Sequence, residues 1–271
     1  MSRQRRRSII HVTTIVTTIV TTIAAGVFAL ACLLQPLHAQ WSTRPDPKAP
    51  RTADGKINLS GPPPKQADGN PDLSGMWQVA DAHLQFNMAA DTPGVELTPA
   101  YAAIYKAHLE QQGKERPSGR CLPHSIPDAM LAPTPFKFIH TPTETLILYE
   151  EFVDFRQVFT DGRELPKDAE AAWFGYSVGR WEGGAFIVDT RGFNDKSWLD
   201  DDGHPHSDAL HTIERFRRPD YGHLAMEITI DDPKAYVKPW EATVHFDLLP
   251  EAELIESVCD NNFDVQHLVG K

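Results

Sequence analysis

From residue 136 to residue 259 the chain alternates between apolar and polar positions with a period of two. The segment 224–230 places leucine, methionine or isoleucine at every second position, with alanine, glutamate and threonine between them. The segment 240–248 repeats the pattern from Trp240 to Leu248. Because successive side chains of a strand point to opposite faces, this alternation predicts strands with one buried face and one face in water.

Turn residues divide this region into short strands. The predicted strands cover 136–141, 145–150, 152–160, 172–181, 185–190, 210–217, 223–230, 240–248 and 253–259, after a first strand near Trp77. Glu182-Gly183-Gly184 is the clearest hairpin signal. About ten short strands with short connections favour an all-β, mostly antiparallel fold. We expect a barrel rather than a sandwich, because closure leaves no exposed sheet edge.

One helix is predicted before these strands. Thr98 suits the N-cap and Pro99 the first helical position, while Gly113 suits the stop. Apolar and aromatic residues recur at helical spacing and predict one face packed on the barrel: Tyr101, Ile104, Tyr105, His108 and Leu109.

The segment 40–71 is rich in proline and predicts an extended arm ahead of a single barrel domain over 72–271. Within the arm, ADGKINLSG at 53–61 recurs as ADGNPDLSG at 67–75. Two copies 14 residues apart are too few and too short for a repeat fold, so we interpret them as a local duplication.

The N-terminal segment predicts export. Four arginines precede an uncharged stretch from Val12 to Leu34, and Ala39 lies at a plausible cleavage position, which indicates a signal peptide over 1–39. The alternatives are a lipid-bearing Cys32 in an imperfect lipobox, an uncleaved membrane anchor, and a twin-arginine signal at Arg6 and Arg7. The predicted location is periplasmic or secreted, with no membrane span in the mature form.

The net charge argues against one class of partner, and the cysteine content predicts a disulfide. Loss of the four N-terminal arginines changes the net charge from −11 to −15, so phosphate repulsion argues against nucleic acid as a partner. Cys121 and Cys259 would be the two cysteines left after cleavage, and an isolated pair in an oxidising compartment predicts a disulfide. Oligomeric state is left open.

The densest polar segment, 192–211, is the first candidate for chemistry. His204, His206 and Asp202 are weak metal-ligand candidates, because their spacing imposes no coordination geometry, and we expect neither a metal nor a cofactor. His206, Asp200 and Glu214 form a candidate acid–base set at the barrel mouth. A solvated acidic loop is the alternative.

Two arginines and the strand aromatics suggest a small-molecule pocket. Glu214 lies in register with the inward-facing positions of its strand, and a buried carboxylate needs a counter-charge. Arg156 and Arg180 are the candidates for that counter-charge. A buried pair of this kind can also be purely structural. If the barrel leaves a cavity, we expect Arg156, Tyr176, Arg180 and Trp198 to contact the ligand.

Several motifs support an export assignment by resemblance. GYSVGRWEG at 175–183, VDTRGFND at 188–195, WLD at 198–200 and PHS at 205–207 resemble those of a large group of exported acidobacterial and proteobacterial hypothetical proteins. The resemblance covers about residues 67–262 and implies an exported domain without implying a mechanism. A weaker resemblance, Gly75-Met76-Trp77 at the first strand, is to lipocalin-like (calycin-type) barrels.

Three functions are compatible with these features. The first is an exported barrel that binds a small apolar or aromatic molecule. The second is a cofactor-free isomerase, lyase or hydrolase that uses His206, Asp200 and Glu214. The third is a structural or partner-binding envelope protein with the arm as its tether.

Overall fold

A computed structural model of the chain describes residues 46–259. The predicted signal peptide, its lipobox, anchor and twin-arginine alternatives, the first residues of the arm and the end of the predicted domain lie outside the described residues.

Nine strands close into one barrel. They are β1 Gly75–Val79, β2 Phe136–His140, β3 Glu144–Tyr149, β4 Phe155–Phe159, β5 Tyr176–Glu182, β6 Ala185–Arg191, β7 His211–Arg217, β8 His223–Asp231 and β9 Trp240–Leu248. Each strand pairs with the next in sequence and β9 pairs with β1. All pairs are antiparallel except β4 and β5, which are parallel. The predicted mostly antiparallel all-β barrel is confirmed, whereas its kinship to lipocalins stays a prediction.

The barrel interior is filled by aromatic and aliphatic side chains. The Phe136 ring meets the Phe246 ring edge-on with centroids 5.1 Å apart, and Phe138 meets Phe216 at 5.4 Å. A Cβ at Gly179 would lie 2.7 Å from the Phe186 ring, so even a methyl group does not fit there. This part of the interior is a packed core. A ligand site is therefore to be sought where the wall is open.

The structure corrects three predicted strands. The segment 253–259 is not a strand and makes only one isolated bridge, between Glu151 and Ser257. The strands predicted over 152–160 and 172–181 begin later, at Phe155 and Tyr176. The residues ahead of β4 form a turn in which Phe152 and Val153 have positive φ, which breaks the extended pattern that their apolar side chains suggest.

The predicted helix is present, but its packing differs from the prediction. The helices are α1 His83–Phe86, α2 Pro99–Gln111 and α3 Asp128–Leu131, and only α2 was predicted. Ile104 and Leu109 are 41% and 44% exposed, so the expected apolar face of α2 is wrong for these two residues. Helix α2 instead contacts the 192–211 loop through rings, with Tyr105 stacked on His204 and His108 on Trp198. Within 46–259, no helix is both long and apolar enough to cross a membrane.

The duplicated segment folds twice into the same turn. In the first copy, the Thr52 amide bonds the Lys56 carbonyl and the Gly55 amide bonds the Thr52 carbonyl. The second copy repeats both bonds 14 residues later. The central glycines, Gly55 and Gly69, have φ of 83° and 88°, which explains why both copies keep a glycine there.

The predicted disulfide is confirmed. Cys121 and Cys259 are joined across 138 residues of sequence, with their Cα atoms 5.5 Å apart. The bond attaches the segment after α2 to the end of the described chain.

Candidate functional site: a cleft in the barrel wall

The barrel wall is incomplete between β4 and β5. These two strands pair over only two residue pairs, Val158 with Ser177 and Phe159 with Val178, whereas β5 and β6 pair over seven. The chain between the two strands, residues 160–175, leaves the sheet and returns for the parallel pairing. Residues 155–157 of β4 have no partner in β5, and a cleft of about 430 Å³ lies beside them.

Aromatic rings line most of this cleft. They belong to Phe155, Phe159, Trp173, Phe174 and Tyr176, with Pro123 at one side. A cavity of this size with aromatic walls and few polar groups has the usual composition of a small-molecule site.

Arg156 and Ser177, which line the cleft, belong to a buried polar network around an ion pair. Arg156 donates from Nη1 and Nη2 to the two Glu214 carboxylate oxygens at 3.0 and 2.5 Å. It also donates from Nε to Ser177 Oγ at 3.0 Å and from Nη2 to Thr190 Oγ1 at 2.8 Å. All four side chains are buried. Burial alone would lower the pKa of Arg156, but the Glu214 carboxylate outweighs it and raises the pKa, which keeps the guanidinium charged.

A buried tyrosine lies beside this pair. Tyr149 stacks on Phe174, which lines the cleft, with ring centroids 5.4 Å apart. Burial raises the pKa of its hydroxyl, which stays protonated, and the neighbouring Arg156 only partly opposes this rise. Tyr149 is therefore a neighbour of the ion pair and is not among the residues that line the cleft.

The cleft contains two of the four residues predicted to contact a ligand. Arg156 and Tyr176 line it. Arg180 instead lies exposed on β5 beside Glu182, 3.5 Å away, and Trp198 stacks on His108 in the 192–211 loop. These two do not line the cleft.

Sequence reasoning missed several cleft residues. The alternation places Phe155 and Phe159 in a strand without indicating a cleft, and it does not identify Ser177 in the cleft or Thr190 in the polar network behind it. Ser177 and Thr190 occupy inward positions of otherwise apolar strands, and a polar residue at such a position is a usable signal of a buried polar network.

In the predicted acid–base set, Asp200 organises a loop. Its Oδ2 accepts the Met88 amide at 2.8 Å and contacts His204 Nδ1 at 2.6 Å. Its Oδ1 accepts the Gly203 amide at 3.0 Å. With both oxygens occupied, this carboxylate holds the 192–211 loop against the segment after α1.

The other two members bond elsewhere. His206 Nδ1 donates to the Ser207 carbonyl at 3.0 Å, so Nε2 accepts the Ser197 hydroxyl at 2.8 Å. Burial lowers the pKa of His206, which favours this neutral form. Glu214 is bonded to Arg156 inside the barrel. The described hydrogen bonds therefore place the three residues in separate groups, and their joint acid–base role stays a prediction.

The weak metal candidates also have protein partners. His204 is bonded to Asp200, and His206 to Ser197. Asp202 Oδ2 accepts from Asn87 at 3.2 Å. Within residues 46–259, no group of three or more histidine, cysteine or acidic side chains is arranged to hold a metal ion.

A second ionisable cluster adjoins the cleft at Pro123. His124 Nδ1 lies 2.6 Å from Asp128 and Nε2 lies 3.4 Å from Glu151. Burial lowers the pKa of His124, but the two carboxylates outweigh it and raise the pKa to about 10. Four residues with positive φ lie in the same segments: Cys121, Ser125, Phe152 and Val153. Such backbone conformations cost free energy, which the cross-links of this region offset.

Comparison with known proteins finds no match to this chain among family models, curated proteins or solved structures.

Proposed function

We propose that the protein binds a small aromatic molecule in the cleft between β4 and β5, and that it does so in the periplasm or outside the cell. The observation that carries this proposal is the combination of five aromatic rings around the opening with Arg156 and Ser177 of the buried polar network. Aromatic walls favour a planar apolar ligand. Ser177 and Gln157, which line the cleft, favour a ligand with one or two polar atoms.

The arginine that lines the cleft is unsuited to a second anion. Both Nη atoms of Arg156 already donate hydrogen bonds to the Glu214 carboxylate, and the pair carries no net charge. A ligand carboxylate would have to displace Glu214 and leave it buried without a partner. The expected ligand is therefore uncharged.

The test uses 2-naphthol as an aromatic probe with one hydroxyl and cyclohexanol as its non-aromatic counterpart. We expect 2-naphthol to bind measurably by calorimetry and to quench tryptophan fluorescence through Trp173, and cyclohexanol to bind at least about tenfold more weakly. Trp173→Ala should weaken 2-naphthol binding by about tenfold or more.

The matched control is Phe86→Ala, which removes an aromatic ring that is 61% exposed on α1 and outside the cleft. It should leave binding unchanged. Equal affinity of the wild type and Trp173→Ala for 2-naphthol would refute the cleft as the site.

A further inference from the structure

A second groove lies on the outside of the barrel, over β3 and β4. It has a volume of about 460 Å³ and is closed on one side by Leu254 and Ile255 of the C-terminal segment. Strand β3 places Leu146 and Leu148 on its outer face, whereas the outer positions of β9 are Glu, Thr, His and Asp. Apolar side chains on both faces of β3 mean that its outer face needs a cover.

The C-terminal segment is held as a fixed wall of this groove. The Ile255 amide donates to Glu150 Oε2 at 3.2 Å, and the Phe152 amide donates to the Ser257 carbonyl at 2.9 Å. The disulfide at Cys259 anchors its end. The cover is nevertheless partial, because Val153 and Phe155 stay 55% and 59% exposed.

The rim of the groove carries only negative charge. Glu144, Glu150, Asp154 and Glu256 line it, and none of the described lining residues is a lysine or arginine. Burial raises the pKa of Glu150 and of Asp154, and the nearby charged His124 only partly opposes the rise for Asp154. Lys137 is the cross-strand neighbour of Leu148 but lines a different cleft.

We propose that this outer groove binds a small amphipathic cation, with an apolar chain against Leu146, Leu148 and Ile255 and an ammonium group among the rim carboxylates. The apolar floor supplies the hydrophobic contact, and the carboxylates supply the complementary charge. The groove shares Asp154, Phe155 and Gln157 with the aromatic cleft at one edge, but its leucine floor and its C-terminal wall lie outside that cleft, and binding there does not depend on the function proposed for the cleft.

Three probes separate the contributions of the chain and the charge. Octyltrimethylammonium, used below its micelle concentration, carries both the apolar chain and the positive charge. Tetramethylammonium carries the positive charge without the chain. Octyl sulfate carries the same chain with a negative charge. By calorimetry we expect octyltrimethylammonium to bind about 100-fold more tightly than tetramethylammonium, because eight carbons of the chain are buried. Octyl sulfate should bind at least about tenfold more weakly than octyltrimethylammonium.

Two double variants locate the site. Glu144→Gln with Glu256→Gln removes two rim charges, and binding of octyltrimethylammonium should weaken about fivefold. Glu227→Gln with Glu241→Gln removes two surface carboxylates from β8 and β9, which do not line the groove, and should leave the affinity unchanged. Trp173→Ala should also leave it unchanged, so failure of the aromatic cleft and failure of this groove are distinguishable.

Two results would overturn the proposal. The first is equal binding of octyl sulfate and octyltrimethylammonium, which would indicate apolar adsorption without charge selection. The second is equal weakening by the two double variants, which would indicate attraction to the net negative charge of the whole protein. A denaturation curve for each variant checks that it is folded.

Discussion

The two sides of the barrel wall are held together in different ways. From β5 to β9 the strands are seven to nine residues long and neighbours pair over five to eight residues. From β3 to β5 the strands have five to seven residues and the β4–β5 pairing has two residue pairs. The first side is stabilised by hydrogen-bonded ladders throughout, whereas the second has such a ladder between β3 and β4 and depends on side-chain cross-links where β4 meets β5.

Three cross-links gather on the short-stranded side. They are the Arg156–Glu214 pair, the Cys121–Cys259 disulfide and the His124 cluster with Asp128 and Glu151. Both proposed binding sites also lie on this side. The comparison teaches that the aromatic cleft arises where backbone pairing ends, whereas the outer groove lies over the paired strands β3 and β4.

Breaking the buried ion pair should have the largest effect. Glu214→Ala leaves the Arg156 guanidinium buried without its carboxylate, and we expect the free energy of unfolding to fall by about 3–5 kcal/mol. Urea denaturation followed by circular dichroism measures this change. The control is the double variant Arg156→Met with Glu214→Leu, which should be more stable than Glu214→Ala because no charge is left unpaired. A double variant no more stable than Glu214→Ala would contradict this account.

Removing the disulfide should have the next largest effect. Cys121→Ser with Cys259→Ser opens a loop closed across 138 residues, and we expect the free energy of unfolding to fall by about 2–4 kcal/mol. Denaturation of the wild type in a reducing agent should then match the double variant. Any remaining difference under reducing conditions would show that the serine side chains, and not the lost bond, cause the change.

The His124 cluster should make stability depend on pH. In the unfolded chain His124 titrates near 6.5, and in the folded protein its pKa is raised to about 10. The contribution of the protonated His124 to the free energy of unfolding is therefore complete below pH 6.5 and is lost as the pH rises through 10. We expect the stability advantage of the wild type over His124→Asn to shrink by about 2–4 kcal/mol between pH 6.5 and pH 10. Urea denaturation of both proteins across this range measures it, and a constant difference would contradict an ionised cluster.

The smallest effect is expected in the side with long strands. Gly183, in the hairpin turn between β5 and β6, has φ of 57°, and a Cβ there would meet nothing within 4 Å. Gly183→Ala should thus cost only the backbone penalty of a left-handed conformation, about 1 kcal/mol. Gly183→Asn should cost less, because asparagine tolerates this conformation. Equal losses from both variants in thermal denaturation would refute a purely conformational cost.

The strands that sequence located best are the ones with strict alternation. Strand β9 was predicted at its observed bounds, and β8 within one residue. The errors fall on 152–160, 172–181 and 253–259, where apolar residues occupy turns or an outer segment. Their side chains have the composition of strands, but Phe152 and Val153 adopt positive φ in a turn, which ends the extended pattern.

The candidate site was predicted only in part. Arg156 and its partner Glu214 were identified because an inward charge needs a counter-charge, and the structure shows this pair. Arg180 was the competing partner, and only the strand geometry places it outside the barrel beside Glu182. The cleft itself was not predicted, because it depends on how few residues pair between β4 and β5.

The sequence by itself determined the alternating strands, the closing disulfide and the need for a charge pair inside the barrel, because each depends on side-chain chemistry or on period along the chain. Only the tertiary structure decided where the wall stays open and which side chains surround the openings. The physical reason is that strand pairing joins residues far apart in sequence, and its extent is set by the packing of the whole barrel.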